Sequence, residues 1–277
     1  MSTKKKTYNP FKDKSELEDD IKSFLNKHRT FLSNQADRIS DYFEMCCYNY
    51  IVRFYQAKGY TLVVENLKSK GFRYKLSPAG YPENFSYFKI FKEIEGEKKR
   101  CEFEIHHNLT IQSSQQEDIY ITPDIAVINI DSVETESEHY LVENSSKKFC
   151  YVKNENLQTF CEVKQFNPFP ELLFSFMGLY SEIINSEESR NDDFEHIAPS
   201  LMISGKGKLH TNKIKESHEQ RYLLNMIYDL FETGSITFSN KYASALVTVG
   251  SKNVRLIDTP KEEETNMIEI NDDDLPF

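Results

Sequence analysis

Three residues of this chain have types and spacing suited to chemistry: Asp124, Glu162 and Lys164. Asp124 lies in TPDIAVI (122–128), and Glu162 and Lys164 stand two residues apart in TFCEVKQF (159–166). Both stretches are apolar and strand-like, where a charge is costly unless something pairs with it. Either these side chains face water or they are gathered round a cation. Residues i and i+2 of a strand face the same side, so Glu162 and Lys164 project together while Val163 turns into the core. With Asp124 on an adjacent strand, two carboxylates and one ammonium group would converge on a single point.

The surrounding sequence supplies elements to hold them. IYITPDIAVINI (119–130) is too dense in apolar residues for an alternating strand and predicts a central strand buried on both faces. CEFEIHHNLTI (101–111) alternates, with Cys101, Phe103 and Ile105 on one face and Glu102, Glu104 and His106 on the other. YTLVVENL (60–67), FRYKLS (72–77) and FSYFKIFKEI (85–94) predict three earlier strands. A helical pattern covers 35–57, with Ile39, Phe43, Cys46, Tyr50 and Phe54 on one face and Gly59 as its stop. Another helix is expected from Ser15, after a lysine-rich arm.

Residues 131–148 turn polar and acidic, an excursion from the core, with a short strand at FCYV just after it. LQTFCEVKQF returns as a strand, followed by a helix over 170–185. A strand at IAPSLMIS, a helix at NKIKESHEQRYLLNMIYDLF and a strand at YASALVTVG complete the order. Consecutive early strands imply antiparallel pairs and late helical crossovers imply parallel ones, so the expected class is α/β with a mixed sheet between helices.

Composition excludes some function classes. At 277 residues, 39% apolar and 28% charged, the chain can bury a sizeable core. MSTKKKTYNPFKD has no apolar stretch after it, and no segment reaches bilayer-spanning length, so a cytoplasmic protein without membrane partners is expected. Cys46, Cys47, Cys101, Cys150 and Cys161 show no CxxC spacing and read as reduced packing residues. The histidines lack metal-ligand spacing and are expected at the surface. The net charge of −10 is uneven: residues 258–277 hold eight acids against Lys261, about −7 of the total. The remainder is near −3, which leaves room for a locally basic cleft.

A strand with Pro123-Asp124, then a strand with Glu162-Val163-Lys164, then a helix, all after an amphipathic helix, resembles the PD-(D/E)xK nuclease superfamily. That resemblance implies a restriction-endonuclease-like three-layer sandwich over 35–257, with an arm and helix in 1–34 and a flexible acidic tail in 258–277. It implies Mg²⁺ or Mn²⁺ held by Asp124, Glu162 and the carbonyl oxygen of Val163. Magnesium favours oxygen ligands and keeps several waters. Lys164 would position the attacking water or stabilise transition-state charge. Many members add an acid from the preceding helix. Glu44 is the best-placed candidate, with Asp41 on a neighbouring turn, and Glu104 is a rival on the strand before Pro123. Gln165 is expected to face away.

The ending NDDDLPF is the second specific signal. Asp272, Asp273, Asp274, Leu275, Pro276 and Phe277 resemble the acidic C-terminal tip of bacterial single-stranded DNA-binding proteins, which docks into pockets on replication and repair proteins. The combined expectation is a magnesium-dependent deoxyribonuclease, endo or exo, in phage defence, mobile-element biology or DNA repair. Its partners would be DNA and tip-binding proteins, with homodimerisation left open. Two alternatives stand beside it: a single-stranded DNA-binding protein with an acidic recruitment tail, needing an OB-type barrel, and a catalytically silent nuclease-fold adaptor. SGKGKLH (204–210) lacks phosphate-loop spacing and reads as a basic loop that could meet a DNA backbone together with Lys213 and Lys215.

Overall fold

In the computed structural model, residues 39–68, 72–93, 100–142, 147–184 and 196–230 are described. The expected helix from Ser15, the strand at YASALVTVG and the acidic tail with its tip lie outside the described residues. In chain order the elements are helix α1 (Ile39–Ala57), strands β1 (Thr61–Glu65), β2 (Tyr87–Glu93), β3 (Arg100–His107), β4 (Ile111–Gln112), β5 (Tyr120–Ile121), β6 (Ile125–Asn129), β7 (Val133–Glu136), β8 (Phe149–Val152) and β9 (Leu157–Lys164), helix α2 (Pro170–Ile183), strand β10 (Ser200–Ile203), helix α3 (Leu209–Arg221) and strand β11 (Asn225–Ile227).

Seven strands form a mixed sheet in the order β1-β2-β3-β6-β9-β10-β11. The pairs from β1 to β9 are antiparallel, whereas β9-β10 and β10-β11 are parallel. The parallel pairs follow from the helices α2 and α3, which carry the chain back to the same end of the sheet. Strand β6 is buried on both faces, as its apolar density predicts. Ile125 and Val127 join a core cluster with α1, and Ala126 and Ile128 join a second cluster with α2. Helices therefore cover both faces of the sheet. Helix α1 stops where expected: Gly59 is left-handed at φ 84, and the Tyr60 N–H reaches back to the Tyr55 carbonyl at 3.0 Å.

The structure corrects several expectations. FRYKLS is not a strand. Phe72 and Tyr74 pack instead on Tyr48 of α1, and the Tyr74 hydroxyl donates to Asn49 Oδ1 at 3.0 Å. The acidic excursion carries a strand of its own: Val133–Glu136 pairs with Phe149–Val152 in a second sheet, β5-β4-β8-β7. The last helix ends at Arg221 rather than running to Phe231. Leu224, Met226 and Ile227 are fully or almost fully buried, and Asn225–Ile227 is a parallel strand beside β10. An apolar run that dense satisfies a two-sided sheet position better than one helix face. The histidines also depart from the surface expectation: His106, His107, His139, His196 and His218 are all buried. Cys46, Cys47 and Cys161 are buried free thiols, as expected of packing residues. Among the described residues, no helix is long and apolar enough to cross a membrane.

Candidate active site

Asp124 stands one residue before β6, not within it, and Glu162 and Lys164 close the last turn of the pleat in β9. Because Ile125 pairs with Cys161 across the antiparallel β6-β9 ladder, Asp124 falls opposite Glu162. The three side chains meet there. Lys164 Nζ lies 2.5 Å from Glu162 Oε1 and 3.2 Å from Asp124 Oδ2. Asp124 Oδ2 also accepts the Val163 backbone N–H at 2.6 Å, which fixes the carboxylate against the strand. Val163 itself is buried toward α1, as its i+1 position requires.

The electrostatics follow from two carboxylates sharing one ammonium group. Burial, and then the neighbouring Asp124 charge, push the Glu162 carboxyl up to about 7 even though Lys164 pulls the other way. Burial works against the Lys164 ammonium, but Asp124 and Glu162 outweigh it and raise it above its ordinary value. With all three ionised the cluster carries one surplus negative charge in a partly desolvated position. A cation added beside the two acids would relieve that surplus.

The other expected acids are placed differently. Glu44 is on α1, where its Oε2 lies 4.0 Å from Nε2 of His107. His107 pairs with Ile125 in the sheet, so Glu44 approaches the Asp124 end of β6 from the opposite face. The Cys47 thiol is pushed far up by burial and then by Cys46, Cys161, Asp124 and Glu44. Glu104 is not brought to the site. It shares the sheet face of Glu162, as the alternation predicts, but pairs with Ile128, four residues along β6 from Asp124. At about 3.3 Å per residue the separation is roughly 13 Å. Its carboxylate is buried against His106 Nε2 at 2.8 Å and the Asp131 backbone N–H at 3.3 Å. Asp41 is buried in the first turn of α1, within hydrogen-bond reach of the Ser40 hydroxyl at 3.3 Å.

Two supporting residues carry no sequence signal. Lys75, from the FRYKLS stretch, is buried, and its ammonium donates to the carbonyls of Pro78 at 2.8 Å and of Asn108. Burial lowers it to about 8. Asn108 is left-handed at φ 50, and its backbone N–H donates to the Asp124 carbonyl at 2.9 Å. Lys75 thus braces the turn that holds Asp124. His107 is the second: burial first, and Lys75 next, depress its imidazole to about 3, so it is neutral at working pH.

Among the described residues, no group of three or more His, Cys, Asp or Glu side chains is gathered as for a metal ion. The convergence is two acids and a lysine. That donor set fits a hard divalent cation, because magnesium is held through one or two carboxylates with water and substrate oxygens completing the octahedron. Comparison with protein-family models, with curated proteins and with solved structures found no match.

Proposed function

We propose that this protein is a metal-dependent nuclease that hydrolyses phosphodiester bonds of DNA at Asp124, Glu162 and Lys164, on a restriction-endonuclease-like core. The observation that carries the reading is the meeting of Lys164 Nζ with both carboxylates at one end of the sheet. The order α1, β6 with Asp124 before it, β9 with Glu162-Val163-Lys164, then α2 supports it, being the order the resemblance requires. Asp124 and Glu162, with the Val163 carbonyl, would hold Mg²⁺ or Mn²⁺, which when bound supplies Lewis-acid polarisation and a more acidic water.

The chain's own residues do the rest. Asp124 is held in position by the Val163 N–H, and by the Lys75-Asn108 brace behind its carbonyl. Lys164 donates from an ammonium that the two acids keep protonated, so it can orient a water or meet the negative charge that grows on the phosphoryl oxygens. No covalent intermediate is needed. Glu44 lies beside His107 on the opposite face of the sheet and is assigned no step. The single-stranded DNA-binding reading lacks comparable support, because the described strands form sheets of seven and four strands rather than a five-stranded barrel.

The deciding experiment is a cleavage assay on single-stranded, duplex and branched DNA with Mg²⁺, with Mn²⁺ and with chelator. Cleavage that needs the metal and disappears in Asp124→Asn and Lys164→Met is expected. Metal-independent binding of single strands with no cleavage under any condition would overturn the proposal.

A further inference from the structure

The loops that leave β9 and β10 lie side by side at the Asp124 end of the sheet. The Ser204 N–H donates to the Lys164 carbonyl and the Gly205 N–H to the Phe166 carbonyl, both at 3.2 Å. Gly205 is required for that approach: a Cβ there would stand 2.4 Å from Asn167 Oδ1 and 2.8 Å from the Phe166 carbonyl oxygen. The Asp229 N–H donates to the Gly205 carbonyl at 3.0 Å and fixes the same loop from β11. The platform is therefore tied to the sheet.

On it sit exposed side chains. Phe166 is 40% exposed and Phe169 is 44% exposed, with ring centroids 5.8 Å apart and planes inclined at 37°. Both follow Lys164 within five residues. Lys206 and Lys208 are exposed in the neighbouring loop, whose Gly205 N–H bonds the Phe166 carbonyl. Lys215, which the sequence placed among backbone contacts, does not contribute. It is buried, with Nζ 5.2 Å from the Tyr228 ring centroid and 3.8 Å from Glu219 Oε1.

We infer that Phe166 and Phe169 form a base-stacking subsite for single-stranded nucleic acid, with Lys206 and Lys208 holding its phosphates and guiding the strand to Lys164. The chemistry is specific in kind. Exposed aromatic faces accept unpaired bases of any sequence, whereas a duplex hides its faces in its own stack. Lysine charge in the adjoining loop suits a phosphate backbone rather than an apolar peptide. Parallel strands also end here, at β9 and β10, the position where open α/β sheets receive ligands. The inference deepens the proposed nuclease reading by naming its substrate as an unpaired strand, and it rests on that reading only for the direction of the strand.

Binding in chelator tests it apart from cleavage. A fluorescently labelled oligo-dT and a duplex of matched length are titrated by anisotropy against the intact chain, Phe166→Leu/Phe169→Leu, Phe166→Tyr/Phe169→Tyr and Lys206→Ala/Lys208→Ala. The leucine pair should lose about 10-fold of oligo-dT affinity per ring with unchanged melting, and the tyrosine pair should keep it. The lysine pair should flatten the slope of log affinity against log salt by about 1.4. Equal affinity of the leucine pair and the intact chain, a preference for duplex, or absence of oligo-dT binding would each overturn the subsite. Metal-dependent cleavage persisting in the leucine pair with unchanged oligo-dT affinity would sink the subsite alone, whereas stacking without any cleavage would sink the nuclease reading alone.

Discussion

Glu104 and Glu162 sit on the same face of the same sheet and have opposite surroundings. Glu104 is nearly sealed, with His106 Nε2 at 2.8 Å and the Asp131 N–H at 3.3 Å, so its charge meets donors and no second acid is paired with it across the ladder. Glu162 meets one ammonium that is also claimed by Asp124, and its carboxyl is pushed up to about 7. The difference teaches what separates a structural acid from a candidate ligand. A buried carboxylate that meets donors and no second acid is finished, whereas two carboxylates that share one ammonium group still favour a cation.

The largest effect that tests this contrast is on catalysis. Asp124→Asn, Glu162→Gln and Lys164→Met should each lower metal-dependent cleavage by at least about 1000-fold, while Glu104→Gln stays within about 3-fold of the parent. Cleavage assays on purified, folded variants decide it, and equal losses at Glu104 and Glu162 would erase the distinction.

Stability should show the reverse order. Glu104→Ala leaves the His106 imidazole and the Asp131 N–H without their buried acceptor and should cost about 2 kcal/mol in urea unfolding. Glu162→Gln in chelator should instead stabilise at pH 8 by about 1–2 kcal/mol and do little at pH 4.5. The sign follows from its raised carboxyl. Between an unfolded value near 4.5 and a folded value of about 7, the folded state binds more protons, so the parent loses stability as pH rises through that window and regains none above it. A Glu162→Gln gain that is the same at both pH values would contradict the crowding of the two acids.

The same proton competes with the metal. Mn²⁺ affinity, read by titration calorimetry, should rise from pH 5.5 to pH 8 and level off above about 7, where Glu162 is ionised. A pH-independent affinity would place the metal elsewhere. The smallest expected effect is from deleting residues 275–277, which carries no change in intrinsic cleavage but should abolish competition with a single-stranded DNA-binding protein tip peptide for a tip-binding repair helicase. Failure of the intact protein to compete would make the ending a coincidence.

The sequence by itself determined the class, the mixed sheet and most of its strands, because two-residue alternation, a two-sided apolar run and the Gly59 stop are local signals. It also set Glu162 and Lys164 on one face, since the strand period admits no other arrangement. Only the tertiary structure decided where the other two candidate acids lie. Glu44 was the best-placed candidate on paper and Glu104 its rival; the β3-β6 register puts Glu104 opposite Ile128, and Glu44 lies by His107, which pairs with Ile125, on the other face of the sheet. FRYKLS had strand composition, yet it forms no strand: its aromatic rings pack on α1 and its lysine is a brace for Asp124. The stretch after Arg221 went the other way and joined the sheet, because its dense apolar run is buried there. Burial on two faces, ladder register and the sharing of one ammonium by two carboxylates are relations between distant segments, and no local pattern of residues encodes them.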